Sequence, residues 1–373
     1  MGDKKTYRKW VGVILGYLVP GLAHFLSGNR AAGIRWLVLL NLLGIVSIVC
    51  VATPGNYIYC LGVFLCLAGG ALGLVMLKQS YKPVKRIGFK GWMLVIFISF
   101  AVSIILRLAL TQFVLCYKIP TGSMQPTLMG KNGIAVIDDT PETSGFVQKC
   151  WYGRSYVEVR ATADGVLRGP YPNKAPAGYS AFLIKGHAHH LPQRAEPLIK
   201  AGSTVRKGDL LWKGYDTIGD HLFIEKVSYH FRKPKRGEII VFRTNGIKEL
   251  VQNNVYTMRV AGLPGERIKI KPPFLYVNGE KVTAPEIFTT IASRIDGYGG
   301  YEVTGFPRRT GCCLSSIDDE ITLGPDEYFV LGDNSKNSYD SRYWGPVPGK
   351  NIFGRVTRIY WPFSRINALE GMQ

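Results

Sequence analysis

Ser123 lies in the run Ile119-Pro120-Thr121-Gly122-Ser123-Met124-Gln125-Pro126-Thr127-Leu128, just after a long apolar segment. A serine hydroxyl becomes a nucleophile when a base takes its proton and aimed donors stabilise the oxyanion formed by its attack. Gly122 lets a bound peptide come close to the backbone. Taken as local structure alone, the same run is a Pro/Gly/Ser turn leaving a membrane helix. Other reactive groups are scattered. Lys226 follows the strand-like run Gly219–Glu225 and on its own is an exposed basic residue, with His221 and His230 to either side. His187-Ala188-His189-His190 puts histidines two apart on one strand face, a metal-like spacing. No Cys, Asp or Glu partner is marked by spacing, so a solvated loop tip without metal is expected.

Four runs, in order, resemble type I signal peptidases. Ser123-Met124-Gln125-Pro126-Thr127-Leu128 resembles their nucleophile box, Ser-x-Met-x-Pro-Thr-Leu. Gly219 to Tyr229 followed by Pro234 to Phe242 resembles a structural strand, turn and strand, with Lys235-Arg236-Gly237-Glu238 as the turn. Tyr256-Thr257-Met258-Arg259-Val260-Ala261-Gly262-Leu263-Pro264-Gly265-Glu266 resembles the strand Lys-Arg-x-x-Gly-Leu-Pro-Gly-Asp that supplies the general base. Leu331 to Pro348 is similar to the Gly-Asp-Asn-x-x-Asn-Ser-x-Asp-Ser-Arg segment.

The resemblance implies a role for each matching residue. Ser123 is the nucleophile, and its backbone N–H with the Thr121 hydroxyl forms the oxyanion hole. Ser338 orients the base, and Asp340 with Arg342 forms a supporting ion pair. Met258 occupies the lysine position. A methionine fills the apolar stem volume of lysine, but it has no lone pair basic enough to take a proton. Loss of a general base typically costs roughly a hundred- to ten-thousand-fold in rate. Lys226 is the first alternative base, ahead of His221 and His230.

The implied activity is a membrane-bound serine endopeptidase that removes N-terminal signal peptides from exported preproteins, without cofactor or metal. Its substrate would lie extended along the Tyr256 strand, with small side chains entering shallow pockets near Ile119, Pro120, Met124, Tyr256 and Thr257. Thr257 replaces a residue usually larger and apolar. The alternative is a catalytically impaired or inactive homologue that binds signal peptides or partner proteins through the same β edge. The presence of Ser123, Thr121 and Ser338 favours activity, since a binder needs none of them.

These groups must be carried by two kinds of element. The first third of the 373 residues is almost continuously apolar and the remainder is polar and rich in Gly and Pro. The expected architecture is N-terminal transmembrane helices plus a mostly β catalytic domain, a signal-peptidase-type β sheet or barrel with inserted β subdomains. Residues 1–116 form the membrane domain, with spans near 36–52, 57–77 and 92–116; Arg107 snorkels to the outer interface. Residues 10–26, broken by Pro20-Gly21, form a re-entrant or interfacial hairpin. Lys78, Lys82, Lys85, Arg86 and Lys90 hold the loop after the second span in the cytoplasm. Residues 117–373 then lie on the extracytoplasmic, periplasmic side of the inner membrane.

The net charge of +20 comes without a nucleic-acid motif, so its expected counterpart is anionic lipid rather than nucleic acid. The secretion machinery is a further candidate partner. A transporter or channel is disfavoured because the apolar third has no charged pathway beyond Arg107. Insertions are expected near 138–218 and 271–326. In the first, Val157–Ala161, Asp164–Leu167 and Ala201–Leu211 look like short strands and Gly turns, faintly resembling a biotinyl/lipoyl-type β-sandwich without its Met-Lys-Met turn. In the second, Asn278-Gly279 signals a hairpin. A disulfide from Cys150 to Cys312 or Cys313 is compatible with the sequence.

Overall fold

A computed structural model describes residues 20–21, 24, 29–52, 56–79, 97, 114–131, 133–135, 145–171, 174–176, 179–192, 195–304 and 313–369. Contacts divide the chain into two compact units, Met1–Leu115 and Cys116–Gln373.

The first unit contains helices α1 (Arg30–Ala52) and α2 (Asn56–Gln79). The Asn29 side chain accepts the Ala32 N–H at 3.1 Å, a helix cap that starts α1 at Arg30, six residues before the expected Trp36. Gly69 lets the helices approach, since a Cβ there would stand 3.2 Å from Leu43 Cδ2, and Ser47 Oγ donates to Gly62 O at 2.7 Å. Ile34, Val38, Leu39, Leu42 and Val46 point outward. The segment Arg30–Ser47 is long and apolar enough to cross a membrane, with mean hydropathy 1.4. Arg107, nearly all of the third expected span and most of 10–26 lie outside the described residues. The third span does not continue to Cys116, because Val114–Lys118 is strand β1. Its burial alternates as a half-buried strand's does, which apolar content alone does not separate from a helix end.

The second unit is built on one antiparallel sheet. With β1 it comprises β2 (His221–Glu225), β3 (Ile239–Arg243), β4 (Val255–Gly262), β5 (Glu327–Leu331), β6 (Val347–Pro348), β7 (Ile352–Trp361) and β8 (Asn367–Ala368). The order is β1-β2-β7-β3-β4-β5-β6, with β8 also on β7. The expected strand, turn and strand is present, with Glu238 N donating to Lys235 O at 3.2 Å across the turn, and β7 lies between β2 and β3 in the sheet. The connection contains a short helix, Ser228–Phe231, and folds around Glu238. That carboxylate accepts from Tyr229 Oη at 3.0 Å, Arg232 Nη1 at 3.0 Å and Lys235 N at 2.9 Å. Burial raises its proton affinity, but these donors outweigh burial and hold the carboxyl below its ordinary range.

Both stretches expected as insertions carry small β sheets. Arg267–Lys271, Phe274–Val277, Glu280–Lys281 and Glu320–Thr322 form a four-stranded sheet. Its core, including Ile268, Leu275, Phe288 and Ile291, continues into Phe329 and Leu331 of β5. Asn278 and Gly279 have φ of 53° and 87°, as a tight two-residue hairpin requires. In the first insertion, Arg154–Arg160 and Leu210–Thr217 pair, and Tyr179–Ile184 pairs with His187–Pro192. They pack around Leu167, Phe182, Leu191 and Trp212. His187 and His190 are exposed, but His189 is buried and accepts the Thr162 N–H at 3.0 Å. The histidine segment is thus a strand with one side chain in the subdomain, not a loop tip. Cys150 and Cys313 are not in a disulfide, and Cys312 lies outside the described residues.

Candidate active site

The nucleophile run is a loop closed by Asp220. Ile119 N donates to Asp220 O at 2.9 Å, and Asp220 N donates to Met129 O at 2.8 Å. The Asp220 carboxylate takes the Met129 N–H at 2.7 Å and Arg365 Nε at 2.9 Å. Burial raises the Asp220 pKa, with Arg365 opposing it in part. Gly130 backs the loop so closely that a Cβ would overlap Thr121 O. Ser123 is half-buried at this bend and Thr121 is exposed two residues before it.

The segment after β5 meets that bend. A Cβ on Gly332 would overlap Ser338 Oγ and stand 2.5 Å from Ser123 O. Only a glycine permits these backbones and the hydroxyl to converge. Arg259 pairs with Leu331 and Val260 with Val330, so continuing the register by one residue sets Gly332 opposite Met258. Met258 is 3% exposed. Ser338 is buried as well, and its Oγ has no hydrogen-bond partner among the described residues. A buried hydroxyl without a partner costs about 1–3 kcal/mol, so this one marks where a polar partner is missing.

Two buried ion pairs brace this arrangement. Arg259 Nε and Nη2 donate to Asp333 Oδ1 and Oδ2, each at 2.7 Å. Asp333 also accepts from Thr127 Oγ1, which lies 2.9 Å from Tyr298 Oη. Burial opposes the Arg259 charge, yet Asp333 outweighs it and holds the guanidinium pKa above its ordinary value. Arg342 donates to Asp340 at 2.8 and 2.9 Å, to Ser335 Oγ at 2.8 Å and to Ser338 O at 3.3 Å. Asp340 in turn accepts the Gly332 N–H at 3.1 Å.

Tyr256 and Thr257 are half-buried on β4, Ile119 and Met124 are buried, and Pro120 is exposed. Residues Val255–Thr257 pair with Phe242, Arg243 and Val241 of β3, whereas the recorded β5 ladder begins only at Arg259. On the β5 side, that half of β4 carries no ladder among the described residues. Lys226 is not brought to this group. It lies just past β2, its Cγ beside Gly354 of β7, and two strands intervene before β4. That separation is roughly 14 Å at ordinary strand spacing. His221 packs on Trp361 at 4.6 Å, and His230 Nδ1 lies 2.9 Å from Lys226 O. No cluster of three or more metal-ligating residues occurs among the described residues.

Sequence reasoning did not single out Asp220, Thr127, Asp333 and Asn334, although all lie within the quoted runs. Their roles arise from contacts across 74 to 212 positions, such as Arg259 to Asp333 and Asn334 to Gly122. The polar, turn-rich spacing of those runs was the only signal.

A sheet that sets a loop serine against a buried serine through a shared glycine fits a serine-hydrolase site. The family model for signal peptidase, peptidase S26, matches residues 216–361, which include Met258 and Ser338 but not Ser123. A probable signal peptidase I-2 from Synechocystis is 36% identical over 153 residues, covering 41% of this chain and 60% of that protein. Signal peptidase I from Leptolyngbya laminosa is 36% identical over 155 residues, covering 41% and 65%. For signal peptidase I from Bacillus caldolyticus the identity is 37% over 148 residues, covering 39% and 72%. The chain belongs to the signal peptidase I family. It spans less than two thirds of the length of the first two relatives.

Proposed function

We propose that this protein is a membrane-anchored serine endopeptidase acting on the signal peptides of exported preproteins. The reading is carried by the convergence of Ser123, Ser338 and position 258 on Gly332. An extended peptide adds to the open side of Val255–Thr257 by β pairing. Ile119, Pro120, Met124, Tyr256 and Thr257 shape the pockets for its residues before the cut. Ser123 Oγ attacks the scissile carbonyl, and the Ser123 N–H and Thr121 hydroxyl receive the oxyanion. Collapse of that intermediate breaks the C–N bond as the proton given up by the Ser123 hydroxyl passes to the leaving nitrogen, which departs as the amine and leaves an acyl group on Ser123 that water removes. The chain is multi-pass in the inner membrane with this domain on the periplasmic side. Anionic lipids and the secretion machinery are its proposed surroundings, and it uses no cofactor.

One observation favours a second reading. Met258 is buried at the base position and its thioether does not take the Ser123 proton, so the protein binds signal peptides without cutting them. The readings separate in a preprotein cleavage assay on detergent-purified protein. If the parent cleaves and Ser123→Ala does not, the endopeptidase reading stands and a base other than residue 258 is at work. If both are inert and Met258→Lys cleaves, the native chain is a binder on a catalytic scaffold. Cleavage that survives Ser123→Ala removes the serine mechanism.

A further inference from the structure

We propose that Asn334, backed by Asn337, is a positioning residue that fixes the direction of the Ser123 amide N–H, one of the two oxyanion donors. The inference rests on the endopeptidase reading of this site. Asn334 Nδ2 donates to Gly122 O at 2.9 Å, and its own N–H donates to Ser123 O at 2.9 Å. A peptide group is planar, with C=O and N–H pointing opposite ways. Holding Gly122 O therefore aims the Ser123 N–H, and holding Ser123 O fixes the next plane. One residue grips the peptides on both sides of the nucleophile.

The grip matters most at Gly122. With no Cβ, Gly122 tolerates a turn of the Gly122–Ser123 plane that would swing the N–H away from the scissile carbonyl. The preceding peptide is already confined, because Gly130 packs on Thr121 O. The other donor to Gly122 O, Gln125 N–H, is longer at 3.2 Å and belongs to the same turn, so it moves with the loop. Asn334 belongs to the braced segment after β5. Its amide orientation is set as well: Asn337 Nδ2 donates to Asn334 Oδ1 at 3.2 Å, which leaves Asn334 Nδ2 for Gly122. Asn337 N also donates to Asn334 O at 2.9 Å.

The test uses the full chain in detergent carrying Met258→Lys, with preprotein cleavage as readout. Removing an oxyanion donor outright costs about 10²–10³ in kcat; a misaimed donor costs less. Asn334→Ala and the near-isosteric Asn334→Asp are expected to lower kcat roughly 10- to 100-fold with KM within about threefold, and Asn337→Ala to lower it less. Values of kcat within about twofold of the parent for both Asn334 variants overturn the proposal, as does a loss shared between kcat and KM that tracks lowered thermal stability. If neither the native chain nor its Met258→Lys variant cleaves, the endopeptidase reading has failed separately. The inference is then decided by a crystal structure of Asn334→Ala, where a turned Gly122–Ser123 peptide supports it and an unmoved one overturns it.

Discussion

Ser338 has a buried hydroxyl without a hydrogen-bond partner among the described residues; its proposed partner is an amine at position 258, where Met258 carries a thioether. The pair gives a prediction with a change of sign. With Met258 in place, Ser338→Ala removes an unsatisfied buried polar group and is expected to raise stability by about 1 kcal/mol. In the Met258→Lys background the same change removes the amine's partner, so it should destabilise the fold and lower cleavage roughly tenfold or more. Thermal or denaturant unfolding of the four proteins closes a double-mutant cycle, in which contacting residues couple by about 0.5–3 kcal/mol. Additive effects would mean that the two positions do not meet. The types of these residues were legible in the sequence because each sits in a distinctive run. The orphaned state of Ser338 was not, since it depends on the close approach that Gly332 allows.

At the scale of elements, β4 shows both what patterning reveals and where it stops. Its β-rich sequence and closing Gly-Leu-Pro-Gly turn announce a strand. Its unequal pairing, with β3 along Val255–Arg259 and β5 only from Arg259, depends on strands that lie far apart in the chain. The separation of β2 from β3 in the sheet was hidden for the same reason. Alternation identified two strands, while β7, from beyond residue 350, is what keeps them apart. The connection between β2 and β3 is held electrostatically, with Arg232 2.5 Å and Arg355 3.4 Å from Glu238. Because the folded Glu238 carboxyl lies below its unfolded value of about 4.3, it contributes stability above that pH and loses it as pH falls through the folded pKa. Glu225 is shifted the same way, so Glu238→Gln should reduce the acid slope rather than abolish it. The expected result, from thermal melts between about pH 3 and 7, is a lower Tm at neutral pH and a shallower fall below about pH 4.5. An unchanged acid slope would show that Glu238 does not anchor the loop.

For the whole molecule, the question is which side of the membrane the proposed active site faces. Helices of 23 and 24 residues reach about 34 and 36 Å at 1.5 Å per residue, enough for a hydrocarbon core near 30 Å. Their outward Ile34, Leu42, Leu61, Phe64 and Leu67 would be costly in water and are at home in lipid. In the proposed topology both helices cross, which returns the chain to its starting side. In that topology the basic residues from Lys78 to Lys90 mark that side as the cytoplasm by the positive-inside rule, and the apolar stretch from Trp92 crosses once more to deliver Ser123 outside. The proposed topology predicts that a phosphatase reporter fused after Gln373 is active, as it folds only outside the cytoplasm. A reporter placed after Lys85 should be inactive, and alkaline carbonate should leave the chain with the membranes. An inactive reporter at Gln373 would mean an even number of crossings. Ser123 would then face the cytoplasm, out of reach of translocated preproteins, and the signal-peptide reading would fail even with the site geometry intact.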